Sequence, residues 1–254
     1  MSTKNYSVES DLRALDIIEI LADRGSSRVT DIAMDVGCSK NTAFRLLQTL
    51  MDRGYVRQAN DSSYELTFQL LNLGEKLISH SDLNDIVRPY LAELSLEFGE
   101  TATLAIIDNA EIVYLQRVLG NQPYHTSYNV GSRARAYCTS LGKAILAFSS
   151  QELVDNIINS GLEAVTTFTI TNPIQFKNEL RITADRGFAI DNQENVLGIC
   201  CVGAPIFNRR GEVVAAISAS GLSVRFTTEV IEVIAKSVKS KASSISTHLG
   251  YYKK

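Results

Sequence analysis

The chain has 254 residues, 45% of them hydrophobic and 21% charged, with a formal net charge of −3. That composition suits an ordinary globular protein of one large or two unequal domains, since domains usually hold roughly 100–200 residues, and it excludes a strongly basic coat for nucleic acid. With no run of 18 or more apolar residues and no long apolar core in "MSTKNYSVESDLRALD", neither a membrane span nor a secretory signal is expected, and a cytoplasmic protein is.

The first amphipathic segment runs from about Val8 to Arg24. Leu15, Ile18, Leu21 and Ala22 recur near helical spacing, and Gly25 ends it. The second runs from Thr30 to Val36, where Val29, Ile32, Ala33 and Val36 fall at i, i+3, i+4, i+7; Thr30 is suited to cap its start and Gly37 to end it. The third follows Ser39, a suitable N-cap. Ala43, Leu46, Leu47 and Leu50 repeat the same spacing up to Gly54. Two short amphipathic helices joined around Gly37 and Cys38 make a helix-turn-helix. In "YVRQANDSSYELT", strands at Tyr55–Arg57 and Tyr64–Leu66 flank the turn formers Asn60 to Ser63, a hairpin in the position of a wing. Residues 1–67 therefore form a winged helix-turn-helix domain.

A linker helix is expected over residues 68–81, and residues 82–254 form a second domain. There a long helix covers about Leu83–Phe98, followed by strands in "TATLAIID", "EIVYLQRV" and "PYHTSYNV". Helices open near Ser140 and cover about Pro173–Arg186. Two strong strands, "GICCVGAPIFN" and "EVVAAISAS", meet at Arg209-Arg210-Gly211, and a last helix runs from about Thr227 to Leu249. Hairpin-length links between strands predict an α+β domain, an antiparallel sheet flanked by helices.

Opposite the apolar face of the third helix stand Asn41, Arg45, Gln48 and Asp52. Arg suits guanine and Asn or Gln suits adenine, because each offers a fork of hydrogen-bonding groups, and residues early in such a helix meet base edges in the major groove. Ser39, Lys40 and Thr42 suit phosphate oxygens, and Arg57 beside the wing suits the backbone or the minor groove. From Gly37 to Arg57, four cations (Lys40, Arg45, Arg53, Arg57) stand against Asp52 alone, a local charge of 4 − 1 = +3. Either this face reads DNA or it is the solvated side of a small helical domain; the tandem helices, tight turn, local charge and wing together favour DNA.

The blocks "RALDIIEILA", "SKNTAFRLLQTLMDRGYV" and "YELTFQLLNLGEKL", then "SLGKAILA", "RGFAIDNQENVLGICCVGAPIFN" and "AAISASG", resemble the IclR family of bacterial transcription regulators over nearly the whole chain. The resemblance implies a GAF-like second domain, binding to pseudo-palindromic promoter DNA, assembly into a homodimer or dimer of dimers, and control by a small carboxylate effector. Carried over by motif, Ser140, Leu141 and Gly142 face the ligand at a helix start. Asp191 is the acidic position, Ile199 and Cys201 are wall positions, and Ser218 and Ser220 supply hydroxyls. The alternation Ser218-Ala219-Ser220 does send both hydroxyls to one sheet face. Each residue also has a plainer reading: serines bonded to nearby backbone, Cys201 as a small core residue, Asp191 as a turn cap. Asp191 is awkward beside an anion and more natural beside ligand hydroxyls, which favours a hydroxylated acid; among the family's effectors the resemblance puts a sugar acid of the 2-keto-3-deoxygluconate kind first, with small 2-oxo acids and aromatic acids behind it. Arg135 stands where relatives commonly have proline, as a carboxylate partner or, by preference, a surface residue.

No catalytic constellation is expected. His80, His125 and His248 sit in no catalytic motif, and no GxSxG, P-loop or GxGxxG occurs. Cys38, Cys138, Cys200 and Cys201 show no CxxC spacing, and adjacent strand residues Cys200 and Cys201 face opposite ways, so neither a metal nor a cofactor is expected. Two other classes stay open: a non-enzymatic interaction module, whose DNA binding would be independent of sequence, and an enzyme acting on a sugar acid, for which no residue speaks.

Overall fold

The computed structural model describes residues 7–79, 82–123 and 128–252. The chain divides into two compact units, Met1–His80 and Ser81–Lys254. Among the described residues no helix is long and apolar enough to cross a membrane.

The first unit holds α1 (Glu9–Arg24), β1 (Ser26–Ser27), α2 (Val29–Asp35), α3 (Lys40–Asp52), β2 (Val56–Gln58), β3 (Tyr64–Leu66) and α4 (Gln69–Ser79). Its core is Ile17 and Leu21 from α1, Ile32 and Ala33 from α2, Ala43, Leu47 and Leu50 from α3, with Val56 and Tyr64 from the hairpin. The expected face of α1 is thus corrected. Leu15 and Ala22 point to solvent, because the buried stripe is set by Ile17 and Leu21 at i, i+4. Thr30 is not the cap of α2, which already begins at Val29 with Arg28 as a cap that makes no side-chain bond. Gly37 does supply the left-handed residue (φ 62°) between α2 and α3. Arg24 of α1 pairs with Asp35 of α2 at 2.6 Å, and Arg13 pairs with Glu9 one turn away on α1 at 2.6 Å. The wing is a three-stranded sheet in the order β1-β3-β2; β1, two residues long, carries too little pattern to be seen in sequence.

The second unit contains α5 (Asp82–Phe98), β4 (Thr101–Asp108), β5 (Glu111–Val118), β6 (Arg133–Arg135), a 3-10 turn (Ala136–Cys138), α6 (Ser140–Leu146), α7 (Gln151–Ser160), α8 (Pro173–Arg186), β7 (Ala189–Asn192), β8 (Ile199–Phe207), β9 (Val213–Leu222) and α9 (Thr228–His248). The six strands form one sheet, order β6-β5-β4-β9-β8-β7, in which every neighbouring pair is antiparallel. Helices α5 and α9 cover one face over Leu104, Val202, Ile217 and Ala219; α6, α7 and α8 cover the other over Ala105, Ile112 and Ala216.

The strand expected at "PYHTSYNV" needs correction. Tyr124 to Ser127 lie outside the described residues, and Pro123 and Tyr128 to Val130 are not strand. The edge partner of β5 is β6 instead, reached through Gly131, which takes φ 86° and donates its N–H to the Tyr114 carbonyl at 2.8 Å. Helix α7 and strand β7 were not expected; β7 is only four residues long and pairs with β8.

Candidate functional site

Two places gather the residues singled out above, one in each unit. On α3, Ser39 is the N-cap: its Oγ accepts from the Thr42 N–H at 3.1 Å and lies 2.9 Å from Thr42 Oγ1. Two proposed phosphate-binding hydroxyls therefore meet at the helix entry. Lys40, Asn41 and Arg45 are exposed, whereas Gln48 is half-buried, its Nε2 3.8 Å from Met51 Sδ. With 3.6 residues per turn, Asn41, Phe44, Arg45 and Gln48 share an arc of about 100°, opposite the buried Ala43, Leu47 and Leu50. Arg45 also borders a cleft against α1, beside Asp11 and Ala14. Arg57 is exposed on β2 but pairs with Glu65 at 2.7 Å, directly across the hairpin. The local charge counted along the chain omits Glu65, which pairing of the strands brings in.

In the second unit a small polar cavity lies between α6 and the sheet, with internal room of about 10 Å³ in this conformation. Thr103, Tyr114, Tyr128, Thr139, Ser140, Leu141, Asp191, Cys201, Ser218 and Ser220 line it. Of the eight residues carried over by motif, six line it and two do not. Gly142 is a packing residue: a Cβ there would stand 2.1 Å from the Ala136 carbonyl oxygen, and its N–H is donated to Thr139 Oγ1 at 3.1 Å. Ile199 is half-buried at the start of β8, away from the lining. Arg135 is also elsewhere, exposed and paired with Glu163 at 2.6 Å and Tyr137 at 3.1 Å.

The register explains why the hydroxyls meet. Thr101 pairs with Ser220, Thr103 with Ser218, and Cys201 with Ser220. Alternation sends all of them to the α6 face, while Ala102, Cys200, Val202 and Ala219 face α5 and α9. Gly203, opposite Ser218, lets α6 approach: a Cβ there would come within 2.9 Å of the Ser140 carbonyl oxygen. The Thr101, Thr103 and Ser218 hydroxyls are buried and have no hydrogen-bond partner among the described residues. Buried hydrogen-bonding groups left unmade are costly, and native proteins keep them where something else completes them.

Asp191 is the acid of the cavity. Its Oδ1 accepts from the Glu194 N–H at 2.7 Å and from the Asn195 N–H at 3.4 Å, so it caps a turn and lines the cavity at once. Burial pushes its carboxyl up to about 7; Lys143 opposes this and Glu194 adds to it. Lys143, on α6 and fully buried, is bound to the Glu194 carboxylate behind the cavity wall. Tyr114 and Tyr128 stack at 4.7 Å, and burial raises both phenols, so both stay protonated donors. Cys138, behind the wall, is pushed up to about 12 by burial and is an unreactive thiol. Among the described residues no lysine or arginine lines the cavity; the lining is hydroxyls, two rings, one acid, Leu141 and Cys201.

Comparison with known proteins agrees with the fold. Residues 12–60 match the model described as IclR helix-turn-helix domain, and residues 75–247 the one described as bacterial transcriptional regulator IclR C-terminal. The HTH-type transcriptional regulator KdgR of Escherichia coli K12 is 31% identical over 249 residues, covering 97% of this chain and 94% of that protein. The transcriptional repressor IclR of the same organism is 31% identical, covering 96% and 90%. The crystal structure of Thermotoga maritima IclR superposes with a TM-score of 0.83 at 34% identity, covering 94% of this chain and 98% of that one.

Proposed function

The chain belongs to the IclR family of bacterial transcription regulators, and on that premise we propose that it reads paired half-sites in promoter DNA with α3 and senses a compact hydroxylated carboxylic acid in the cavity beneath α6. On the DNA side, Ser39, Lys40 and Thr42 hold phosphates, Asn41, Arg45 and Gln48 meet base edges, and Arg57 leaves Glu65 for the backbone beside the wing. A two-fold homodimer or dimer of dimers matches a pseudo-palindromic site. The protein works in the cytoplasm and performs no catalysis.

The single observation that carries the sensing half is the pair of buried, cavity-lining hydroxyls of Thr103 and Ser218, which have no hydrogen-bond partner among the described residues. A ligand with several hydroxyls completes them; a purely apolar one leaves them unmade. Asp191, titrating at about 7, accepts from ligand hydroxyls when ionised and donates to a ligand carboxylate when protonated. The cavity as it stands, about 10 Å³, holds little more than a water, so a ligand has to widen it on binding, and a compact one does so with the least rearrangement. A sugar acid such as 2-keto-3-deoxygluconate fits this description better than a 2-oxo acid without hydroxyls or an aromatic acid. Control is thermodynamic: the effector prefers one arrangement of the effector domains, and the linker helices convert that preference into half-site spacing.

The test is a melting screen of the whole protein against sugar acids, simple 2-oxo acids and aromatic acids, followed by operator titration with and without the best ligand. A rise in melting temperature confined to the hydroxylated acids, with a change in operator affinity, is expected. Stabilisation by aromatic acids alone would overturn the ligand class. An operator affinity indifferent to a bound ligand would overturn the regulatory link.

A further inference from the structure

On α3 the side chain that stands out is Phe44. It is 45% exposed although it is aromatic, and it takes no part in the core formed by Ala43, Leu47 and Leu50 directly behind it. It lies three residues after Asn41 and four before Gln48, so it stands at one edge of the exposed arc, flanked there by Gln48. The ring cannot hydrogen-bond a phosphate or a base edge. What an apolar side chain can do on such a face is touch the one apolar group a base pair presents in the major groove, the C5-methyl of thymine.

We propose that Phe44 is a specificity-determining residue that selects thymine by contact with its methyl group, one base step from those met by Asn41, Arg45 or Gln48. This rests on the reading of α3 as the DNA-reading helix. In the free protein the exposed part of the ring gains nothing, since only area removed from water stabilises the fold.

The full-length protein is used to select binding duplexes from a random library at fixed salt. Each thymine of the recovered half-site is then replaced by deoxyuridine, which removes the methyl and leaves the pairing edge intact. For the wild type, one thymine per half-site is expected to weaken binding about fourfold on losing its methyl, the effect of burying one such group. Phe44→Ala is expected to bind the thymine and deoxyuridine duplexes alike, and Phe44→Leu to restore part of the difference. Both variants should melt like the wild type, because the side chain supports no core. If the wild type is indifferent to every methyl, or if Phe44→Ala keeps the full deoxyuridine penalty, the role assigned to Phe44 is wrong while the DNA-reading helix stands. If no sequence is enriched at all, the reading of α3 fails and Phe44 with it.

Discussion

Thr103 and Ser218 face each other across β4 and β9 as register partners, and neither hydroxyl has a hydrogen-bond partner. Thr101, two register positions further on and opposite Ser220, is a third such hydroxyl. Such pairs are poor choices for a sheet that only has to fold, where valine or alanine would bury without cost. The pair therefore separates what the free protein needs from what the bound protein needs.

Thr103→Val and Ser218→Ala should each leave the free protein as stable or more stable, by about 1 kcal/mol, because an unpaired buried hydroxyl is removed. The same variants should lose about tenfold in affinity for a hydroxylated effector. Chemical denaturation gives the first number and calorimetric titration the second. A variant that loses stability and keeps its ligand affinity would make these hydroxyls structural.

Asp191 sets a pH dependence whose sign is fixed. Its carboxyl ordinarily titrates near 3.8 and is held up to about 7 in the fold, chiefly by burial. Between those values the folded chain binds more protons than the unfolded one, so this group's stability contribution, complete below about 4, declines as pH rises and is gone above about 7. Asp191→Asn should flatten that part of the curve by a few kcal/mol, on the order expected for such a shift. The difference between variant and wild type in urea unfolding from pH 5 to 8 isolates the term, and parallel curves would show that Asp191 is ionised throughout.

The buried pair of Lys143 and Glu194 should be strongly non-additive. Burial raises the Glu194 carboxyl, with Lys143 opposing, so Lys143→Met alone leaves an acid stranded and should cost about 3–5 kcal/mol. The double variant Lys143→Met, Glu194→Leu should recover much of it. A double-variant cycle by urea unfolding measures the coupling; costs that merely add would mean that the pair is solvated.

On α3, Arg45→Ala or Gln48→Ala should each lower affinity for the selected operator by about 1–3 kcal/mol and relax the preference at one position. Lys40→Ala should weaken all sequences alike and reduce the salt slope by about one. Gel-shift titration over a series of salt concentrations distinguishes the two behaviours. Unchanged operator affinity in all three variants would remove the DNA-reading claim.

What could be seen in the sequence follows the reach of each signal. Ser39 as cap, the apolar spacing from Ala43 to Leu50 and the turn between β2 and β3 are local and periodic, and the structure has them where the spacing places them. The two faces of β9 could be read from alternation alone, and the same rule applied to Thr101 and Thr103 points to the missing half of the hydroxyl cluster. Lys143 carries no such signal: a lysine in a short helix normally snorkels to water, and only Glu194, 51 residues on, explains its burial. The Arg57–Glu65 pair and the stacking of Tyr114 on Tyr128 likewise exist only once strands or loops meet. Gly142 shows a different limit. Its motif position is clear, but its use, close approach to the Ala136 backbone, is a matter of tenths of an ångström that spacing does not encode.

The division of labour across the central sheet has a consequence for how such a protein changes over generations. On β4, β8 and β9, even-numbered positions 102, 104, 200 and 202 and odd-numbered positions 217 and 219 hold the strands to α5 and α9. Their immediate neighbours 103, 201, 218 and 220 face the cavity. A new ligand can therefore be acquired by exchanging those four positions, each swap small and each outside the two cores on which the fold depends. The scaffold is inherited while its taste drifts.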